Sequence, residues 1–546
     1  MKPMNVDFAV DSSRRRWLQL TALGAATTLW LPRSAWAQTG TQAPRFTGNP
    51  FALGVASGSP ASDGVVLWTR LVNLSEGTAM LPVTVQWEVA DDEAFARIVQ
   101  RGQAQALPEL AHSVHVEAQG LEPDRWYFYR FMVGDAVSAA GRTRTFPAPD
   151  AVAKKLRIAY ASCQRWEHGY YAAWRHMREE NLDAVLFLGD YIYEYGGAKD
   201  AVRDVSGGVT LTLDDYRARY ALHKSEPELQ AMHAACPWLV EWDDHEVQND
   251  YAGLAPGSGP VSAAGMDFTA RRAAAYQAYY EHMPLRASVL TRSLQGLEQG
   301  AETRIYGSVP FGRLATFHLL DDRQYRSPEA CVGKPGSGMV DPATCDIWND
   351  PKRTLLGTTQ EQWLDKALEQ AAEKQKALKR GEGNWQILGM QTLFGQRDSR
   401  PGPGQLFWTD GWDGYAPARQ RFTETLQRHQ VQDVVMLGGD VHENWVGHIK
   451  ADYDDPKSAA LGVEFCGTSI TSRSGGDNTK VPKWLAENPH FVFGDTAHRG
   501  YGVVEFTPKQ LTTTLRVVDD VAQRDSGIST LAKFEVQAGR PVIEKV

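Results

Sequence analysis

Four apolar runs in this sequence end in the same way, and that repetition limits the fold more than any other feature. In DAVLFLGDYIYEYG the six residues after Asp183 are apolar or Gly; the run stops at Asp190, with Tyr191 and Tyr193 behind it. IAYASCQ delivers Cys163, LVEWDDHEVQND delivers Asp243, Asp244, His245 and Asn249, and VMLGGDVHENW delivers Asp440 and His442. Short apolar runs bounded by turn residues read as buried strands. Helical patterns such as YYAAWRHMREE and ELQAMHAACP stand between them, so the texture predicts a layered α/β domain. In such sheets, ligands gather beyond the carboxyl ends of the strands. One Asp alone could cap a turn, and one His alone could be satisfied in a core. Four such endings at once crowd carboxylates into one region, where repulsion and desolvation are costly unless something cationic holds them. Metal ions are the simplest candidates.

The region ahead of these runs has another texture. From Phe51 to Phe146, GVVLWTRL, VTVQWEVA, HSVHVEAQG, RWYFYRFMVG and GRTRTFP are short strands separated by Gly, Asp or Pro. That pattern predicts an all-β sandwich, placed at 46–148, with GLEPDRWYFYRF similar to a segment of fibronectin-type domains. PAPDAVAKK reads as a linker, and the α/β domain is placed at 155–525. Its last part, from Gly500 onward, returns to β texture. A chain of 546 residues accommodates two such units.

The first 37 residues read as a removable leader. Ser13-Arg14-Arg15-Arg16-Trp17-Leu18 is a twin-arginine pattern, Leu18 to Leu31 is a short apolar run, and Ala35-Trp36-Ala37 is a small-x-small cleavage site. The run is too short and interrupted to anchor the chain in a bilayer. A periplasmic or extracellular location, reached through the twin-arginine export machinery, is expected. The formal charge is -9, and the leader holds five basic residues (Lys2, Arg14, Arg15, Arg16, Arg33) and two acidic ones (Asp7, Asp11), so its removal leaves -12. Such a surface argues against sequence-independent nucleic-acid binding. It also requires local positive charge wherever an anionic substrate is to bind. Of the five cysteines, Cys331 and Cys345 bracket a Gly/Pro/Asp-rich loop and are expected to pair. Cys236 and Cys466 read as small buried hydrophobes.

The GD..Y, DDHE and GGDVH blocks resemble those of the metallophosphoesterases, in the form carried by PhoD-type alkaline phosphatases, relatives of the purple acid phosphatases. ASCQ, LDDRQYR, RRAAAYQAYYEHMP and the FALGVASGSP opening are similar to that subgroup too. The resemblance implies a calcineurin-like catalytic domain behind an immunoglobulin- or fibronectin-like sandwich. It implies Fe3+ held by Cys163, Tyr193 and His442, Asp190 bridging the metals, and Ca2+ near Asp244 and Asp440, with Asn249 at a further ligand position. Thiolate, phenolate and imidazole suit iron, whereas carboxylate and amide oxygens suit a hard cation. His245 is the candidate either to protonate the leaving group or to brace the site, and one of Arg271 and Arg272 is expected to contact phosphate, with Arg323 and Arg165 as weaker candidates. Gln391 stands where purple acid phosphatases have a metal-binding His, and is a doubtful ligand. The implied activity is hydrolysis of small phosphomonoesters or phosphodiesters, releasing inorganic phosphate. A phospholipase D-like activity and a non-catalytic secreted binding protein are the alternatives.

Overall fold

A computed structural model describes residues 44–546 apart from 200, 259–266, 291–302, 334–337, 379–382 and 474–475. The leader expected at 1–37 lies outside the described residues. The chain is mixed α/β, built around a ten-stranded and a seven-stranded sheet. In the first sheet, Leu156–Ala161, Ala184–Leu188 and Trp238–Glu241 run parallel. In the second, Ala315–Leu319, Trp385–Gly389, Val434–Gly438 and Ala460–Cys466 do the same.

The continuous apolar runs follow from burial on both faces. Ala184, Leu186 and Leu188 enter the core between the two sheets, where they meet Phe317, Ile387 and Leu437. Their alternate neighbours Val185 and Phe187 pack the other way, under the helices Leu213–Lys224, Pro227–His233 and Phe268–His282. Val434 and Met436 behave alike in the second sheet, beneath Leu364 and Leu368 of the helix Gly357–Lys376. Period-two alternation therefore fills two cores from one strand.

Both edges of the large sheet extend beyond this parallel centre. Arg499–Phe506 pairs antiparallel with Leu156–Ala161, and the sheet continues through Gln510–Val518 and Ile528–Gln537 to Arg540–Lys545, past residue 525. At the other side Val55–Gly58 joins Trp238–Glu241 through the single pair Gly58↔Trp238 and brings Gly64–Arg70 and Ser113–Gln119 with it. These three strands face a five-stranded sheet across Val65, Leu67, Val85, Val116, Tyr129 and Phe131. The region at 46–148 is thus joined to the α/β part by a shared hydrogen-bonded ladder. Cys331 and Cys345 form the expected disulfide, and Cys163, Cys236 and Cys466 are free and buried. Among the described residues no helix is long and apolar enough to cross a membrane.

Candidate metal centre

The parallel strands of both sheets end at one place, where Ser162 and Ser469 form a bridge between the segments that follow Leu156–Ala161 and Ala460–Cys466. Each chain then turns sharply. Cys163, Asp190, Asp440 and His442 all have left-handed backbones, with φ of 59°, 58°, 63° and 58°. Non-glycine residues avoid that region, and surroundings that hold four of them there concentrate strain at one site. Glu246 supplies part of the hold: its carboxylate accepts the backbone N–H groups of Tyr191 (2.6 Å), Asp243 (2.8 Å) and Asp190 (3.1 Å). Two strand ends are thereby tied to one buried side chain.

The turns bring the sequence-predicted donors together. Cys163, Asp190 and His442 present ligand atoms within 4.8 Å of one another, as do Asp190, Asp244 and His245. The Tyr193 hydroxyl donates to Asp190 Oδ2 at 2.8 Å and lies 3.2 Å from His442 Nε2. Ser472 Oγ sits 2.7 Å from that hydroxyl and 2.8 Å from the Cys163 carbonyl. Asn249 commits its amide nitrogen to Asp250 and to Ser258 at 2.7 Å, which leaves its carbonyl oxygen for an ion. Asp440 accepts from Thr392 at 2.7 Å.

The electrostatics call for a cation. Burial drives the Asp190 carboxyl well above the usual carboxylate range, with His245 opposing and Asp244 and Asp243 adding to the rise. Burial and then Asp243 raise Asp440, while burial and then Asp190 raise both the Cys163 thiol and the Tyr193 phenol. Burial lowers His442 to about 3, so its imidazole is a neutral donor. Asp190 Oδ1 and Asp244 Oδ1 are buried without a hydrogen-bond partner. Orphaned carboxylate oxygens beside a thiol, a phenol and a neutral imidazole fit a metal centre, because a bound cation removes the penalty on every one of these ionised groups.

The arginines lie elsewhere than the sequence suggests. Arg323 is fully buried behind the ligands: it donates to Asp243 and, at 2.6 Å, to Asp410, and stands 3.7 Å from Asp244 and 3.5 Å from Asp440. Burial would raise Asp244, yet Arg323, His245 and the Asp250 N–H together hold it below the usual range. Arg323 is not on the cleft wall, and its Nη2 has no hydrogen-bond partner. Arg326 takes the other oxygen of Asp410 at 2.6 Å, so Asp410 is neutralised by guanidinium. Arg271 donates to the Tyr216 hydroxyl at 2.9 Å and Arg272 to the Gly253 carbonyl at 2.8 Å. Both are buried on the helix Phe268–His282, outside the cleft, because that helix packs on the far face of the sheet. Arg165 pairs with Glu167 at 3.0 Å and lies over the Tyr193 and Tyr195 rings. Gln391 donates its amide N–H to Leu320 O at 2.8 Å and accepts the Asp322 N–H at 3.3 Å, so its side chain is engaged with the backbone that leads into Arg323.

A cleft of about 770 Å³ opens over the cluster, with Asp190, Asp244, His245, Asn249, Asp440 and His442 on its wall. Its cations are Arg397, Lys480 and Lys483. Sequence reasoning missed these, since no local pattern separates them from other surface charges. It also missed Glu194, whose carboxylate holds His245 Nδ1 at 2.6 Å and accepts the Asn249 N–H at 2.8 Å. The only local signal for Glu194 was its place in the GDYIYEYG block.

Comparison with known proteins identifies the family. A family profile described as PhoD-like phosphatase matches residues 158–515, and one described as its N-terminal domain matches 35–147. Alkaline phosphatase D of Bacillus subtilis (strain 168) is 42% identical over 545 residues, covering 98% of this chain and 89% of the relative. A solved structure titled "Structure of PhoD" superposes with a TM-score of 0.83 at 43% identity, covering 92% of this chain and 93% of that one.

Proposed function

The chain belongs to the PhoD-like phosphatase family, and from that premise we propose that it is an exported, metal-dependent phosphoesterase with iron and calcium in its cleft. As a member it is a hydrolase of phosphoric esters. Cys163, Asp190, Tyr193 and His442 would hold Fe3+, and Asp190, Asp244, Asn249 and Asp440 would hold Ca2+. When bound, such ions act as Lewis acids on phosphoryl oxygens and lower the pKa of water. The observation that carries this reading is the convergence of a buried thiol, phenol and imidazole on Asp190, whose second oxygen has no partner.

The protein's own groups have separable tasks. Arg323 keeps four carboxylates in place from behind and restrains their mutual repulsion. Lys480 and Lys483 supply positive charge at the cleft, where an anionic ester enters, whereas Arg397 is paired with Glu443 at 2.5 Å. His245 is the proton donor to the leaving oxygen. Burial opposes its protonation, but Glu194 first, then Asp190 and Asp244, raise its pKa well above the usual value. The calcineurin-like layering, the sandwich character of 46–148 and a calcineurin-type domain at 155–525 belong to the same reading. So does export, which rests on the twin-arginine pattern and cleavage site of the leader.

Elemental analysis of native protein purified without a metal-affinity step, paired with a panel of phosphomonoesters and phosphodiesters, tests the proposal. Iron and calcium with hydrolysis that a calcium chelator abolishes reversibly is the expected result. Metal-loaded protein that hydrolyses none of the panel would return the chain to the role of a binding protein.

A further inference from the structure

The cleft has a second wall that the chemistry above does not use. Met339–Val340 and Phe407–Trp408 form a two-stranded antiparallel ribbon, with Met339 opposite Trp408 and Val340 opposite Phe407. Strand alternation sends the two pairs to opposite sides. Val340 and Phe407 are buried against Cys345 and Trp348, with the Phe407 and Trp348 rings stacked at 5.7 Å. Met339 and Trp408 line the cleft, and Met339 is 45% exposed. The Cys331–Cys345 disulfide spans the segment that carries Met339, and one of its sulfurs belongs to the cluster beneath the ribbon. Trp484 also lines the cleft, but its ring is already met by Arg397, Lys480 and Trp445.

An exposed thioether and a half-buried indole on one ribbon, beside a highly charged cluster, offer an apolar contact to whatever enters the cleft. The cleft is continuous with the candidate phosphoryl site, so the occupant is attached to a phosphoryl group. Met adapts to varied shapes, and Trp offers a flat face that favours stacked rings.

We propose that the ribbon, tied down by the Cys331–Cys345 disulfide, is a specificity wall that binds a flat apolar group on the alcohol part of the phosphoester. The proposal rests on the phosphoesterase reading of the site. Met339 and Trp408 are then specificity-determining residues, and the disulfide positions them.

The test uses metal-loaded mature protein and two non-hydrolysable ligands, phenylphosphonate and methylphosphonate, whose affinities are measured by calorimetry. The phenyl compound should bind about ten-fold tighter or more. Trp408→Ala and Met339→Gln should each shrink that ratio while leaving methylphosphonate affinity unchanged, and Trp408→Phe should retain most of it. Cys331→Ser with Cys345→Ser should reduce the ratio too. Met339→Gln is nearly isosteric at an exposed position, so it remains informative if the double serine variant folds poorly. Hydrolysis of phenyl phosphate and glycerol 3-phosphate is assayed alongside. Phenyl preference without hydrolysis of either ester would sink the phosphoesterase reading and leave the wall standing. Hydrolysis with equal phosphonate affinities, or a Met339→Gln variant altered only in self-association, would overturn the wall.

Discussion

Glu194 shows how much one side chain outside the ligand set can decide. Among the charges that raise His245 its carboxylate acts most strongly, and it also accepts the Asn249 N–H. Glu194→Gln keeps the shape and removes the charge. The His245 pKa then falls, and its proton is lost at lower pH. Because the protonated form donates to the leaving group, the alkaline limb of the kcat profile should move to lower pH with little change in KM. An unmoved limb would detach His245 from the proton transfer. Cys163 gives a separate residue-scale prediction. If iron sits among Cys163, Tyr193 and His442, concentrated native protein is coloured, and Cys163→Ser and Tyr193→Phe each shift or bleach the absorption band. A colourless native protein with full activity would exclude the iron–thiolate assignment.

At the scale of elements, the site depends on how closely strand ends approach one another. Gly189 ends the run AVLFL with φ of 98°, and a Cβ there would lie 2.4 Å from Asp243 Cβ and 2.5 Å from the Asp243 nitrogen. Backbone cannot yield as a flexible side chain does. Gly189→Ala should therefore destabilise the fold by about 1–3 kcal/mol and also lower metal content, because it parts the two turns that Glu246 joins. Thermal denaturation together with metal analysis checks this. An alanine variant of normal Tm and metal content would show that the turns are less tightly coupled than their hydrogen bonds imply.

For the whole molecule, the governing contrast is between global and local charge. Without its first 37 residues the chain would carry -12, yet Lys480 and Lys483 gather at the cleft. Such a local field raises the capture rate of anions and is screened by salt over about 8–10 Å at physiological ionic strength. Changing Lys480 and Lys483 to Glu should lower kcat/KM by about ten-fold at low salt, chiefly through KM, and the gap should close as salt rises. A deficit unaffected by salt would mean the lysines act by direct contact rather than by steering.

Much of the fold, and the residues that cluster at the strand ends, were legible in the sequence because the signals are local. AVLFL reads as a buried strand from its own composition, and a strand end places Asp190 or Asp440 wherever the sheet places the strand. The Cys331–Cys345 pair was legible because a short loop brings the two residues together. Tertiary structure alone decided the rest. Arg323 became the partner of Asp243, Asp244, Asp410 and Asp440 through contacts between strand ends of two different sheets. Arg271 and Arg272 were withdrawn from the cleft by the face on which their helix packs. Trp408 met Met339, and Val55–Gly58 joined the large sheet, through pairings between segments far apart in the chain. Periodicity reports which face of an element is buried. Which element covers that face depends on chain closure over long separations, and no window of sequence contains it.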